Sequence, residues 1–325
     1  MTPSSPTRRT FLRQLGTLLA GAAAWPSLTL ASAVDDDATP IGPDATDADN
    51  GPLHATIPST DERMPKIGLG TYITFNVGPD PNTRETLAQV LRTFFAMGGG
   101  MIDSSPMYGT AEEVLGDLLT ELDDTDGLFS ATKVWTRSTR EGENQIDASL
   151  DLWGIRRFDL MQVHNLVNWR EHLATLRARR NAGEIRYIGI TTSHGRRHDD
   201  LERIMRDEAI DFVQLTYNVL DRDVEDRLLP LARDRGIAVI ANRPFRRGRL
   251  FDHVAGHPLP DWAADYGIDN WARFFLKFII SHAAVTCAIP ATSRPQHMEE
   301  NMGAMYGPLP DDVTRRAMID YIESL

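Results

Sequence analysis

Four residues of this chain combine side chains that could do chemistry together: an acid, a phenol, an amine and an imidazole. They are Asp103, Tyr108, Lys133 and His164. A tyrosine alone has a pKa near 10, but a nearby ammonium such as that of Lys133 favours the phenolate and brings proton transfer within reach. Asp103 could fix the lysine, and His164 could orient a carbonyl. The set suits reduction of a carbonyl by hydride, which a cofactor must provide because side chains carry none.

A structural role for each of these residues is the alternative interpretation. A buried acid at a strand end often only caps a helix or pairs with a lysine, and one such residue alone is more often structural than catalytic. Lysine is scarce in this chain, since only Lys66, Lys133 and Lys277 occur among 34 basic residues. A retained lysine is therefore a candidate for a role that arginine cannot fill, such as ready loss of a proton.

Short apolar runs alternate with longer amphipathic runs from Ile67 onward, which is typical of parallel strands joined by crossover helices. The eight predicted strands are Ile67–Tyr72, Gly100–Asp103, Leu128–Val134, Leu160–His164, Ile185–Thr191, Phe212–Tyr217, Ala238–Ala241 and Thr286–Ile289. The helical patterns include Glu85–Met97, Glu112–Leu122, Glu171–Ala182, Glu225–Arg235, Trp271–His282 and Asp311–Ser324.

Eight strand–helix units of this kind predict a single α/β domain, a (β/α)₈ TIM barrel over residues 58–325. A doubly wound open sheet is the structural alternative, but Gly68-Leu69-Gly70-Thr71-Tyr72 lacks the third glycine and the helix start of a dinucleotide-binding turn. In a barrel, side chains at the carboxyl ends of the strands meet at one mouth. The barrel therefore brings the four candidate residues together.

Composition excludes several other functions. The chain has 325 residues and a formal net charge of −12, so a nucleic acid is not an expected partner. Cys287 is the only cysteine, which rules out an intrachain disulfide and a cysteine cluster for zinc. His194 with His198 and His253 with His257 have the H-x-x-x-H spacing but lack the glutamate of a zinc peptidase, so we predict no metal site.

The first residues of the chain have the pattern of an export signal. Thr7–Arg13 carries twin arginines, an apolar stretch too short to span a bilayer follows, and Ala31-Ser32-Ala33 supplies small residues for cleavage. We therefore expect residues 1–33 to be a twin-arginine signal peptide, the export machinery to be a partner, and the protein to be periplasmic or otherwise extracytoplasmic. Residues 34–57, rich in aspartate, are expected to form a flexible linker.

Several motifs, in this order, resemble those of the aldo/keto reductase family. They are Gly68–Thr71, Ile102–Gly109, Ala131–Trp135, Leu160–Asn165 and Cys287–Pro290. The resemblance implies that Asp103, Tyr108, Lys133 and His164 are the catalytic tetrad, that Tyr108 is the proton donor, and that the protein reduces aldehydes or ketones with NAD(P)H. A binding or sensing module that holds a nucleotide with little turnover is the alternative on the same barrel.

The resemblance also implies a cofactor site across the mouth of the barrel. The residues implied at its nicotinamide end are Gly70, Thr71, Tyr72, Asp103, Thr191, Thr192, Gln214, Asn242, Arg243 and Phe245, and those at its adenosine end are Thr292, Ser293, Arg294, His297, Glu300 and Asn301. Thr191-Thr192 replaces the usual Ser-Asn, and Asn242 stands where an aromatic ring is common. Arg294 favours NADP(H) over NAD(H), because a phosphate is bound well by a fixed guanidinium.

Three further residues are placed near the mouth by the same motifs. Trp135, Asn165 and Trp169 are expected to line the substrate pocket, and a loop carrying Phe251, Trp262 and Tyr266 is expected to form one wall. No long segment follows the last helical pattern to close the pocket. We therefore expect an open pocket that accepts varied small-molecule carbonyls.

Overall fold

A computed structural model describes residues 51–125 and 127–325. The predicted signal peptide and the predicted linker up to residue 50 lie outside these described residues. The linker boundary at residue 57 is wrong, because strand β1 (His54–Thr56) lies inside the predicted linker and Ile57 is fully buried. Its partner β2 (Arg63–Pro65) pairs with it antiparallel, so that the fold begins with a short hairpin.

Eight parallel strands in one sheet confirm the predicted barrel strands. They are β3 (Leu69–Gly70), β4 (Met101–Asp103), β5 (Phe129–Val134), β6 (Phe158–Val163), β7 (Ile185–Thr191), β8 (Phe212–Thr216), β9 (Ala238–Asn242) and β10 (Cys287–Ala288). Each strand pairs in parallel with the next one along the chain. This order is that of a TIM barrel.

Hydrogen bonds between the first and the last barrel strands close the sheet on itself. Gly68 N–H donates to Ala288 O at 2.8 Å, and Ala288 N–H donates to Lys66 O at 2.9 Å. A Cβ atom on Gly68 would lie 2.8 Å from the Met101 carbonyl oxygen, so only glycine permits this close approach. The barrel therefore has no open edge at this junction.

Ten helices are found among the described residues, and they include the six predicted helical patterns. Their bounds are α1 (Pro81–Ala96), α2 (Ala111–Thr120), α3 (Thr139–Trp153), α4 (Trp169–Asn181), α5 (His198–Asp207), α6 (Leu228–Arg235), α7 (Arg249–His253), α8 (Trp271–Ile280), α9 (Pro295–Met302) and α10 (Asp312–Ser324). Helix α1 shows why they form. Asp80 caps it by accepting the Thr83 N–H, and Leu87, Leu91 and Phe94 face the sheet at helical spacing.

Two sets of apolar side chains hold the barrel together. The larger set lies between the strands and the surrounding helices, and the smaller set fills the barrel interior. Ile57 and Met64 from the hairpin belong to the smaller set, so the hairpin covers one end of the barrel. Cys287 is fully buried in the same interior, where it packs as a small apolar side chain.

In the part of the chain that the structure describes, no helix combines the length and the apolar character needed to cross a membrane.

Candidate active site

The four candidate residues converge on one mouth of the barrel, as the sequence predicts. Asp103 ends β4, Lys133 lies in β5, His164 follows β6, and Tyr108 lies in the turn between β4 and α2. Tyr108, His164 and Asp103 line one cavity of about 410 Å³ that opens to solvent. The ring centroids of Tyr108 and His164 lie 5.9 Å apart, close enough for both to act on one substrate oxygen.

Lys133 is the buried charge at the centre of this group. Its Nζ donates to Asp103 Oδ2 at 2.5 Å and to the Ser104 carbonyl at 2.7 Å, and it lies 5.1 Å from the centroid of the Tyr108 ring. Burial opposes its charge, but the Asp103 carboxylate and Tyr108 together outweigh burial and raise the pKa of Lys133. The lysine therefore stays an ammonium at neutral pH.

The pKa of Tyr108 is not lowered, although the sequence analysis expected the Lys133 ammonium to favour the phenolate. Lys133 does favour the phenolate, yet burial is the larger effect and the pKa of Tyr108 is raised above its usual value. The phenol therefore keeps its proton at neutral pH. A protonated phenol beside an ammonium is suited to give a proton to an oxygen that becomes negative during a reaction.

His164 is neutral in this site. Burial, with a smaller contribution from Lys133, lowers the pKa of His164 to about 2. Its Nδ1 lies 3.0 Å from Ser105 Oγ, which also accepts the Met107 N–H at 3.4 Å, and we assign the Ser105 hydroxyl as the donor to Nδ1. The ring proton then lies on Nε2, where it can donate to a carbonyl oxygen.

Amide side chains connect the acid to the rest of the mouth. Gln162 and Gln214 each donate to Asp103 Oδ1, at 2.8 Å and 3.0 Å, and Asn242 donates to Gln214 Oε1 at 3.3 Å. The sequence interpretation assigned no role to Gln162 or to Ser105. Both lie inside motifs that it quoted, but their partners are 59 residues away in the chain.

Glu112 supports β5 from the side away from the cavity. Its carboxyl accepts hydrogen bonds from Thr132 Oγ1 at 2.5 Å, Ser149 Oγ at 3.0 Å and Trp153 Nε1 at 3.1 Å. Burial raises the pKa of Glu112 even though these three donors oppose the shift. The group ties α2 and α3 to the strand that carries Lys133, and so holds the lysine in place.

The nicotinamide-side prediction fits the cavity in most positions. Those predicted residues that line it are Gly70, Thr71, Tyr72, Asp103, Gln214, Asn242, Arg243 and Phe245. Thr191 and Thr192 are fully buried at the end of β7, next to Asn242, which donates to Thr192 O at 2.8 Å. Thr192 Oγ1 is buried without a hydrogen-bond partner, and neither threonine lines the cavity.

The adenosine-side residues lie outside this cavity, around the start of α9. Ala291 belongs to the cavity wall, and the residues that follow it lead directly to this helix. Thr292 Oγ1 accepts the Arg294 N–H at 3.1 Å. Among the described residues, the side chains of Ser293, Arg294, His297, Glu300 and Asn301 have no hydrogen bond or ion pair, and Arg294 is exposed at the helix N-terminus.

The predicted substrate residues are divided by the structure. Asn165 lines the cavity, and Trp135 is 41% exposed beside His164, with ring centroids 6.5 Å apart. Trp169 does not line the cavity as the sequence interpretation expected. It is 9% exposed and packs in the hydrophobic core. Of the three aromatic residues of the predicted loop wall, only Phe251 reaches the cavity, whereas Trp262 and Tyr266 pack against the core.

Five large apolar side chains are exposed around the mouth. They are Tyr72, Ile73, Met107, Trp135 and Phe251, out of seven such exposed residues in the described chain. This concentration indicates a rim that contacts an organic ligand rather than scattered surface residues. Among the described residues, no cluster of three or more histidine, cysteine or acidic side chains could hold a metal ion.

Comparison with known proteins finds similar sequences among carbonyl reductases. A sequence profile of the aldo/keto reductase family matches residues 66–320. Methylglyoxal reductase YeaE of Escherichia coli is 27% identical over 252 residues, which cover 76% of this chain and 87% of that protein. The NADH-specific methylglyoxal reductase of the same organism is 27% identical over 240 residues, 63% of this chain and 71% of that protein.

Solved structures show the same fold. An aldo/keto reductase from Klebsiella pneumoniae, in complex with NADP and acetate, superposes with a TM-score of 0.69 at 24% identity. The match covers 81% of this chain and 92% of that one.

Proposed function

The chain belongs to the aldo/keto reductase family and is an NAD(P)H-dependent oxidoreductase that reduces carbonyl groups. From this premise we propose the role of each residue in the reaction. The observation that carries the proposal is the Asp103–Lys133 pair beside a protonated Tyr108 and a neutral His164. The relatives reported above are named as reductases, which favours turnover over a nucleotide-binding module.

In this mechanism the substrate carbonyl lies between Tyr108 and His164. His164 Nε2–H holds the carbonyl oxygen, and the Tyr108 hydroxyl gives that oxygen its proton as negative charge develops. Lys133 stabilises the phenolate that remains, and Asp103 keeps the lysine charged and in position. A nicotinamide dinucleotide, when bound, supplies the hydride that reduces the carbonyl carbon.

The residues present fit such a cofactor. Asp103, Gln214 and Asn242 form one polar floor, and the unpartnered Thr192 hydroxyl lies beside Asn242. We propose that these groups hold the carboxamide end, and that the residues from Thr292 to Asn301 hold the adenosine end. Arg294, exposed and unpaired at the start of α9, favours NADP(H) over NAD(H), because a guanidinium and a helix N-terminus both attract a 2′-phosphate.

Substitution of the proton donor tests the reaction. Tyr108→Phe is expected to lose at least about 10²-fold in carbonyl reduction, because it lacks the acidic hydroxyl, while it still binds NADPH. Methylglyoxal is the first substrate to assay, since two relatives are named for it, followed by larger aldehydes and ketones. Tyr266→Phe is the matched control, because Tyr266 packs outside the cavity and its hydroxyl shares a hydrogen bond only with Thr314 Oγ1. Full turnover by Tyr108→Phe would remove Tyr108 from the mechanism.

The cofactor preference has a separate test. Arg294→Gln is expected to weaken NADPH binding about tenfold and to leave NADH binding unchanged, as measured by nucleotide fluorescence. Equal loss for both nucleotides would show that Arg294 does not read the 2′-phosphate.

We also propose that the chain is exported through the twin-arginine pathway, on the strength of residues 7–33. Replacing Arg8 and Arg9 together by lysine is expected to keep the full-length protein in the cytoplasm, as fractionation and immunoblotting would show. Export of the doubly substituted chain would contradict this assignment.

A further inference from the structure

A second cavity lies beside the active cavity at the same mouth of the barrel. It has a volume of about 180 Å³ and is lined by the three loops that follow β7, β8 and β9. Arg243 lines both cavities and so forms part of the wall between them. The second cavity contains none of Asp103, Tyr108, Lys133 or His164.

Positive charge exceeds negative charge in this second cavity. Arg243, Arg246 and Arg249 line it together with Asp221 and Asp223. Asp221 is already neutralised, because its Oδ2 lies 3.0 Å from Arg246 Nε and accepts from Asn218 at 2.8 Å. Arg249 is an exposed residue of this lining and makes no hydrogen bond or ion pair with any other described residue. An unpaired guanidinium in a cavity is a ready partner for an oxyanion.

The loop that carries these arginines is held in an unusual backbone conformation. Arg243, Arg246 and Arg247 have φ values of 53°, 48° and 59°, in the left-handed region that favours glycine. Backbone strain of this kind concentrates at functional sites. Arg243 is further opposed by its surroundings, since burial and then Arg247 lower the pKa of its guanidinium. Arg247 faces the active cavity, but Arg246 and Arg249 act on the Arg243 guanidinium in the same direction to a smaller extent, and an anion in the second cavity would offset their repulsion.

Two histidines offer further polar atoms to the same space. His198 Nε2 is buried without a hydrogen-bond partner, which is rare for a buried polar atom. His194 Nδ1 accepts the Arg196 N–H at 3.2 Å, so the neutral ring carries its proton on Nε2. Both rings line the cavity. Together with Arg249 they provide donors on more than one side of a ligand.

We propose that this second cavity is an anion site, separate from the cofactor, for a phosphate or a phosphomonoester. Arg249, Arg243 and His198 hold the phosphoryl oxygens. The Asp223 carboxylate on the same wall favours an anion that keeps a hydroxyl donor, such as hydrogen phosphate. Because Arg243 lines both cavities, an anion that holds its guanidinium also fixes one wall of the active cavity.

The test titrates the purified, export-processed protein with inorganic phosphate by isothermal titration calorimetry, at constant ionic strength set with chloride. Binding with a Kd of about 1 mM or tighter is expected. Arg249→Gln and His198→Gln are each expected to weaken it about tenfold. Arg316→Gln, which removes an exposed arginine on α10, is the charge-matched control and is expected to leave phosphate binding unchanged.

A further variant separates this site from the cofactor site. Phosphate bound at the start of α9 would be lost in Arg294→Gln and kept in Arg249→Gln, and that result would overturn the proposal. Absence of phosphate binding up to about 10 mM would also overturn it. Retained binding by Arg294→Gln and in the presence of saturating NADPH is the result we expect. Glycerol 3-phosphate against glycerol then shows whether an esterified phosphate is accepted.

Discussion

Lys133 and Lys277 are both buried lysines, but they differ in what surrounds the ammonium. Lys133 faces the Asp103 carboxylate, and its pKa is raised. Lys277, on α8, donates only to the carbonyls of Tyr306 and Pro308, at 2.7 Å and 2.9 Å, and burial lowers its pKa to about 8. Burial alone therefore does not identify a catalytic lysine; the partner of the charge decides its role.

Lys66 resembles Lys277 rather than Lys133. Its Nζ donates to the carbonyls of Ile280 and Val285, and burial lowers its pKa. All three lysines of this arginine-rich chain are thus retained where a compact ammonium fits. A planar guanidinium is larger and presents five donors, so it would not fit a cradle of two carbonyls. Scarcity of lysine indicated special positions, of which only that of Lys133 belongs to the catalytic group.

The largest contrast between the two lysines is expected in activity. Lys133→Met should reduce kcat for carbonyl reduction by about 10²–10⁴-fold, because the Tyr108 phenolate loses its stabilising charge. Lys277→Met should keep the kcat of the unaltered protein. Steady-state assays with saturating NADPH measure both, and equal losses in the two variants would contradict the assignment of Lys133.

The pH dependence of stability should also distinguish the two lysines, and here the larger effect is expected for Lys277. The pKa of Lys277 is about 8 in the folded protein and about 10.4 when unfolded, so above pH 8 the unfolded chain binds more protons and folding gains free energy. The free energy of unfolding of the unaltered protein, taken relative to that of Lys277→Met, should therefore rise by up to about 3 kcal/mol between pH 8 and 10.4.

The corresponding difference for Lys133→Met should stay constant in that range. Its folded pKa is raised, so its stabilising contribution is complete below the unfolded pKa and is lost only at higher pH. Urea unfolding at pH 7, 8, 9 and 10 measures both differences. A widening for Lys133→Met would mean that its ammonium is not held by Asp103.

A smaller effect is expected from the residue that orients His164. Ser105→Ala removes the hydroxyl next to Nδ1 and should lower kcat about tenfold, the effect of losing one hydrogen bond worth about 1.4 kcal/mol. Ser104→Ala is the matched control, because the Ser104 hydroxyl accepts from Thr71 and not from His164. The same loss in both variants would assign Ser105 a merely structural role.

The smallest expected effect is an absence of pH dependence. With a pKa of about 2, His164 stays neutral throughout the usual assay range, so kcat/KM for carbonyl reduction should be level from pH 5 to 8. A limb near pH 6.5 in the full profile, lost in His164→Gln, would show that His164 titrates and is not the neutral donor described above.

Much of the fold could be predicted from the sequence, because buried strands and buried helix faces consist of apolar residues at regular spacing. The eight barrel strands and the helix α1 follow directly from such runs. The hairpin β1–β2 was missed, since His54–Ile57 directly follows a segment rich in aspartate and glycine. Trp169 was misplaced because a motif fixes the position of a residue along the chain but not the direction of its side chain.

The sequence by itself determined the barrel and the four residues that its strand ends bring to one mouth. Only the tertiary structure decided their protonation, because the pKa values of Tyr108 and His164 depend on burial by residues distant in the chain. It also decided that Arg243, Arg246 and Arg249 border a second cavity with His194 and His198. Local spacing cannot show such a grouping, since three separate loops must meet before the charges become neighbours.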